Sequence, residues 1–182
     1  MSTGEGGMVV TDNTDLFEKV KHYAEHGRAA TGFEITDIGF KYKMSNIQAA
    51  LGLAQLERVN ELIEKKVQIY EWYSEDLLGV DGVTINKANT DIEKSIYWMT
   101  SIVLDRKIEI SRDQLILKLR DKNIDSRPFF PRMTSFPMFN DCDNPVAEHI
   151  SKFGINLPSG HNRTREEISY ISSTLKEILN LN

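Results

Sequence analysis

Residues Ser45–Gly79 read SNIQAALGLAQLERVNELIEKKVQIYEWYSEDLLG, and this stretch organises the rest of the chain. Ser45 and Gln48 have the Ser-x-x-Gln spacing of a capping box, in which two side chains satisfy backbone N–H groups at a helix start. Apolar residues then recur at Ile47, Leu51, Ala54, Leu62, Ile63, Tyr70, Tyr73 and Leu77 along one helical face. Gly79 is a natural stop. A single helix over 46–78 would be roughly 50 Å long at ~1.5 Å per residue. That exceeds the diameter of a small domain, so the segment is expected to bridge two bodies or to break near Lys65-Lys66. Its first turns carry Ala49, Ala50, Gly52 and Ala54, and charge enters only at Glu57. The start is therefore expected to be buried and the middle exposed.

Working toward the N-terminus, residues 28–44 read as irregular and rich in Gly, Lys and aromatics. A helix is expected over 14–25, with Leu16, Val20 and Tyr23 on one face and His26-Gly27 as its stop. The chain opens with Gly4-Glu5-Gly6-Gly7 running into Met8-Val9-Val10-Thr11, a short β-branched segment expected to be a strand. A strand needs a partner, which later segments or residues upstream must supply. Toward the C-terminus the pattern is that of an α+β unit. Strands are expected over 83–87, 96–105 and 124–130. Ser111 and Gln114 cap a helix to about Asn123, a short helix lies near 145–152, and Thr164 and Glu167 cap a last one. That last helix turns Ile168, Ile171, Leu175 and Ile178 inward.

At 182 residues the chain is long enough to bury a sizeable core. A net charge of −5 argues against a broad nucleic-acid footprint. There is no leader-like N-terminus and no apolar run near ~18 residues, so a soluble, cytoplasmic protein is expected. Cys142 is the single cysteine, which excludes an intrachain disulfide and a cysteine metal cluster. His22 and His26 have a helical i, i+4 spacing that can hold a metal, but no third ligand stands beside them. Two surface histidines at a helix end are the simpler reading.

Two clusters point to anions. Lys41-Tyr42-Lys43 precedes the capped helix start, where cations and free N–H groups can hold a phosphate; a solvated basic turn has the same pattern. Arg127-Pro128-Phe129-Phe130-Pro131-Arg132 mixes cations with aromatics at a strand end. That composition suits a phosphorylated or nucleotide ligand, or a loop simply anchored by its two phenylalanines. The glycine turn at 4–7 is not a dinucleotide-binding loop.

Three stretches, STGEGGMVVTDN (2–13), DIGFKYKMSNIQAALGLAQLERV (37–59) and NIDSRPFFPRMTSFPMF (123–139), followed by INLPSG (155–160), resemble in order the C-terminal half of the DegT/StrS-type sugar aminotransferases. Arg127–Phe130 and Tyr97-Trp98-Met99 most resemble the perosamine-synthase-like branch. The resemblance implies the C-terminal portion of a fold-type I pyridoxal-phosphate-dependent α/β enzyme. Residues 1–65 would be the end of the large cofactor-binding domain and the start of the linking helix, and 66–182 the small α+β domain. It implies transfer of an amino group, with glutamate as the expected donor, to a nucleotide-linked keto-deoxy sugar, by a homodimer serving polysaccharide biosynthesis.

In that family the Schiff-base lysine lies just before Thr-Gly-Glu-Gly-Gly. Here it would fall upstream of Met1, so the chain is expected to hold no catalytic lysine and to be inactive alone. Gly4 and Glu5 would border the cofactor. Lys41, Lys43 and Asn46, in the segment that in the family reaches across the dimer, would serve the phosphate of the partner subunit's cofactor, and Tyr42, Arg127, Phe129 and Phe130 the substrate. Lys41 stands where the family commonly has Asn, and Lys43 where it has Arg, which forfeits Arg's bidentate fork. A Pro-x-His of many relatives is here Pro131-Arg132-Met133-Thr134. A same-fold sugar dehydratase and a noncatalytic dimerisation or regulatory piece remain the alternatives.

Overall fold

The structure, a computed structural model, describes residues 2–87 and 92–180. The chain divides into two compact units, one through Val59 and one from Asn60 onward. The first holds helices α1 (Thr14–Ala24) and α2 (Asn46–Glu57). Asn13 caps α1 through its side chain, which accepts from the Leu16 N–H at 3.0 Å. The chain leaves α1 through His26 and Gly27, both at positive φ (69° and 63°).

The expected strand at Met8–Thr11 does not form: these residues have no regular secondary structure, and Val10 is 86% exposed. Local β propensity does not make a strand when no described segment offers a ladder partner. The expected burial is also reversed. No residue of α1 or α2 is buried, although Ile47, Leu51, Leu53 and Leu56 distribute apolar surface around α2. A helix apolar on every side ordinarily lies inside a protein, and nothing in the described first unit covers this one. The long helix does break, at Arg58 instead of Lys65-Lys66. Arg58 leaves helical geometry (φ −109°, ψ 12°), and its N–H turns to the Gln55 and Leu56 carbonyls.

The second unit holds all of α3 (Val59–Asp76) but its first residue, then β1 (Val83–Ile85), β2 (Ser101–Leu104), α4 (Arg112–Asp121), β3 (Arg127–Pro128), α5 (Pro145–Phe153), β4 (Gly154–Asn156) and α6 (Arg165–Leu179). Its sheet has the order β1-β2-β4-β3, with every pair antiparallel. The expected strands are shorter than the sequence suggests: 96–105 contracts to 101–104, and 124–130 to 127–128. Tyr97 explains the first contraction. It takes a left-handed φ of 44° and stacks on Tyr70 with ring centroids 3.6 Å apart. β4 was not expected at all. Three buried residues beginning with glycine give no alternation to read, yet this strand joins β2 to β3.

Capping boxes at Ser45/Gln48, Ser111/Gln114 and Thr164/Glu167 all form. The core runs from Ile69 and Tyr73 of α3 through Ile102, Leu104, Leu115, Leu119 and Ile155 to Ile168, Ile171 and Leu175 of α6; Ile178 packs against it partly buried. Arg165 ties α6 to α3 by donating to both Asp76 oxygens at 2.6 and 2.7 Å. That pair holds the Asp76 carboxyl below its usual range. No helix among the described residues is long and apolar enough to cross a membrane.

Candidate functional site

In the first unit the chain doubles back on α1. The Phe40 and Tyr42 N–H groups donate to the Tyr23 and Ala24 carbonyls (2.7 and 2.9 Å), and the His26 N–H donates to the Phe40 carbonyl (2.9 Å). Residues 40–42 are thereby held extended, with Lys41 paired opposite Glu25. Gly39 permits the approach, because a Cβ there would overlap the backbone of His26 and Gly27. Phe40 and Tyr42 stack face to face, with centroids 5.1 Å apart. Lys43 donates to Glu25 Oε1 at 2.7 Å, and its ammonium holds the Glu25 carboxyl below its usual range. Both groups face solvent, and such pairs exchange at little cost.

Asn46 opens α2 immediately after this segment. The capping box engages the N–H groups of Ser45 and Gln48, leaving those of Asn46 and Ile47 at the open, positive end of the helix. Gln48 has a second task that sequence reading missed: its Nε2 donates to the Glu5 carbonyl at 3.1 Å. The glycine turn therefore lies against α2. The Ser2 N–H donates to Gln55 Oε1 of α2 at 3.3 Å, and Thr3 Cγ2 lies 3.2 Å from where a Cβ on Gly52 would be. Within the first unit the Glu5 carbonyl is thus tied to α2 through the Gln48 side chain, and the Lys41–Lys43 segment to α1 through its backbone. Lysine ammonium groups and a helix N-terminus are the kinds of donor a phosphate takes, and of the two lysines Lys43 is paired with Glu25.

His22, the residue weighed for metal, is otherwise engaged. Its Nδ1 lies 2.9 Å from the Arg28 carbonyl and its Nε2 2.9 Å from Asp37 Oδ2. Among the described residues, no three His, Cys, Asp or Glu side chains gather closely enough to hold a metal.

In the second unit, Arg127 and Pro128 form β3, and Phe129 continues from it by donating its N–H to the Gly154 carbonyl at 2.9 Å. The Phe129 side chain lies over Gly154, leaving no room there for a Cβ. Phe130 precedes Pro131, which confines it to extended backbone, and its ring is 55% exposed. Arg127 pairs with Asp125 at 3.0 Å, both well exposed, so the guanidinium can trade this partner for another anion. Arg132 is committed inward to Asp141 and the Cys142 carbonyl and is only 19% exposed. A nearby groove of about 710 Å³, lined by Asp125, Pro158, Arg163, Glu166, Glu167 and Tyr170, suits an anion poorly. Its one arginine already pairs with Glu167.

Residues 1–176 match the DegT/DnrJ/EryC1/StrS aminotransferase family, and the chain belongs to it. Members of this family are pyridoxal-phosphate enzymes. The chain is 37% identical over 180 residues to the GDP-perosamine synthase of Escherichia coli O157:H7, covering 97% of this chain and 48% of that protein. It is 34% identical to the GDP-perosamine synthase of Vibrio cholerae, covering 99% and 50%. Among solved structures, the aminotransferase TlmJ of Streptoalloteichus hindustanus superposes with a TM-score of 0.88 at 22% identity, covering 98% of this chain and 48% of that one. The sugar aminotransferase CalS13 of Micromonospora echinospora gives 0.82 at 22% identity, covering 97% and 48%. The fold is that of the corresponding part of a fold-type I pyridoxal-phosphate transferase. The chain spans about half the length of the curated relatives it matches.

Proposed function

We propose that this chain works as the C-terminal half of a pyridoxal-phosphate-dependent aminotransferase that moves an amino group from an amino acid, glutamate being the expected donor, to a nucleotide-linked keto-deoxy sugar. The observation that carries this reading is Arg127–Phe130, an exchangeable guanidinium beside two phenylalanines on a backbone locked to β4. It stands in a chain 37% identical to a GDP-perosamine synthase.

Pyridoxal phosphate, when bound, supplies the electron sink for amino transfer. The chain's own residues bind and orient. Lys41 and the open end of α2 hold the phosphate of the partner subunit's cofactor, and Lys43 joins them when Glu25 is displaced. Gly4 and Glu5, fixed through Gln48, border the cofactor. Tyr42, Arg127, Phe129 and Phe130 hold the sugar nucleotide. An ammonium serves phosphate as a point charge, so Lys41 contributes attraction without the two-pronged geometry an arginine would impose. The exposed apolar faces of α1 and α2 are covered by the remainder of the enzyme and its homodimeric partner. The covalent lysine lies outside this chain, and the chain alone turns over no substrate.

The test uses the complete protein with glutamate and a GDP-linked 4-keto-6-deoxy sugar, following 2-oxoglutarate release. Arg127→Ala is expected to lower kcat/KM at least about tenfold, equivalent to ~1.4 kcal/mol. Unchanged kinetics in that variant would remove the substrate role of the loop.

A further inference from the structure

Trp98 and Phe130 come together although 32 positions separate them in sequence. Their rings lie within 18° of parallel with centroids 6.3 Å apart, and Phe129 meets Phe130 edge-on at 5.7 Å. Both rings remain largely open to solvent: Trp98 is 60% exposed. Large aromatics held in the open are an uncommon use of apolar surface. Here the backbone beneath each ring is unusually constrained.

On the Trp98 side three devices act. The preceding Tyr97 sits at φ 44° and is kept there by its buried stack on Tyr70. A left-handed non-glycine residue persists only where its surroundings over-determine it. The Trp98 carbonyl then accepts from Lys66 Nζ at 2.9 Å, and the same ammonium donates to the Ser159 carbonyl. Partial burial holds the Lys66 amine below the usual lysine range. On the Phe130 side, the Phe129–Gly154 contact and Pro131 fix the chain. Two rings presented flat, on rigid backbone, beside an arginine whose partner is exchangeable, are what a planar base linked to a diphosphate requires. Stacking supplies the sequence-tolerant part of such recognition, and a guanidinium meets phosphate in bidentate fashion.

We propose that Trp98 and Phe130 form the stacking platform for the base of the nucleotide-linked substrate, with Lys66 as the positioning residue that holds Trp98 in place. The inference rests on the reading of this protein as acting on sugar nucleotides. It adds a base subsite built from a strained turn and a half-buried lysine.

Trp72 is the other tryptophan, so the Trp72→Phe protein reports from Trp98 alone. Titration of this chain with GDP is expected to quench its fluorescence saturably, whereas ribose 5-phosphate and pyrophosphate, which lack a base, leave it unchanged. Phe130→Leu keeps an apolar side chain but removes the ring, and should weaken GDP binding about tenfold in equilibrium dialysis. Trp98→Leu should do the same. Lys66→Met should shift the Trp98 emission maximum before any ligand is added. Circular dichroism establishes that each variant is folded. No saturable quenching, equal quenching by the base-free compounds, or unchanged affinity in folded Phe130→Leu would each overturn the platform. The amination assay stands apart from these outcomes. GDP stacking without turnover of any keto sugar by the complete protein would keep the platform and refute the aminotransferase reading; turnover with no effect of Trp98→Leu would do the reverse.

Discussion

Gly154→Ala is the substitution whose cost can be worked most directly from the structure. Gly154 has φ −83° and ψ 141°, which alanine adopts without strain, so any penalty is steric. The added methyl would overlap the Ile150 carbonyl oxygen and lie 2.7 Å from Phe129 Cβ and 3.2 Å from its Cγ. Neither neighbour is free to yield. The Ile150 carbonyl accepts the Gly154 N–H that closes α5, and the Phe129 N–H donates to the Gly154 carbonyl at 2.9 Å. Overpacking of this kind costs about 1–3 kcal/mol, and each hydrogen bond lost adds about 1 kcal/mol. With one of these bonds lost the total is about 2–4 kcal/mol; for a unit of this size 1 kcal/mol lowers Tm by roughly 3–5 °C, so a fall of roughly 6–20 °C is expected in a thermal melt followed by circular dichroism. Gly79→Ala is the control. Gly79 sits at φ +73° with open space where a Cβ would go, so its cost is conformational alone, about 1–2 kcal/mol. A Gly154→Ala protein that melts no lower than Gly79→Ala would refute the close-approach argument and, with it, the account of what fixes Phe129.

Four further outcomes are expected. Arg165→Ala should lower the stability of the second unit by about 1–2 kcal/mol through loss of the paired bonds to Asp76; urea midpoints measure it. Because the Asp76 carboxyl is held below its usual range, its contribution is present above about pH 4 and lost as pH falls through the folded value, so parent and Asp76→Asn should converge in acid. Lys66→Met should remove part of the parent's pH dependence in alkali: the Lys66 amine is lowered on folding, the unfolded chain then binds more protons, and stability rises with pH toward ~10.4. A variant whose urea midpoint climbs as steeply as the parent's between neutral pH and that value would contradict the assignment. His22→Ala should release residues 28–37 from α1, seen as faster amide hydrogen exchange at Ala29 and Thr36, whose N–H groups bond to the Glu34 and Gly27 carbonyls.

How much of this was legible beforehand depended on how local the determinants are. Capping boxes were readable because four consecutive residues contain the whole interaction, and the α6 face was readable because packing onto one core enforces a single period. The Ile96–Met99 run has the composition of a strand. Yet the Tyr70 stack and the Lys66 bond override that propensity, and both come from α3, some thirty residues away. β4 escaped notice because Gly154-Ile155-Asn156 is buried throughout and offers no contrast between faces. In the candidate sites, the Lys41–Lys43 and Arg127–Phe130 clusters were visible as composition. The commitment of Lys43 to Glu25, of Arg132 to Asp141, and the meeting of Trp98 with Phe130 were not, since each depends on a partner supplied by the fold.

The strand order β1-β2-β4-β3 has a consequence for how the chain acquires its structure. β1 and β2 pair as neighbours in sequence and can associate early. β3 has no bond to β2 and must wait for β4, whose residues 154–156 are made after both. Ribosomal synthesis therefore leaves the Ile102 and Ile155 layers of the core unmatched until most of the second unit exists. Contacts that close loops of this length are slow to form because their entropy is spent before the strand is rewarded. A nascent chain arrested before Gly154 would expose β2 as an open edge, the state most prone to pairing with the wrong chain. Arrest beyond α6 would show protease resistance appearing in a single step for the whole sheet.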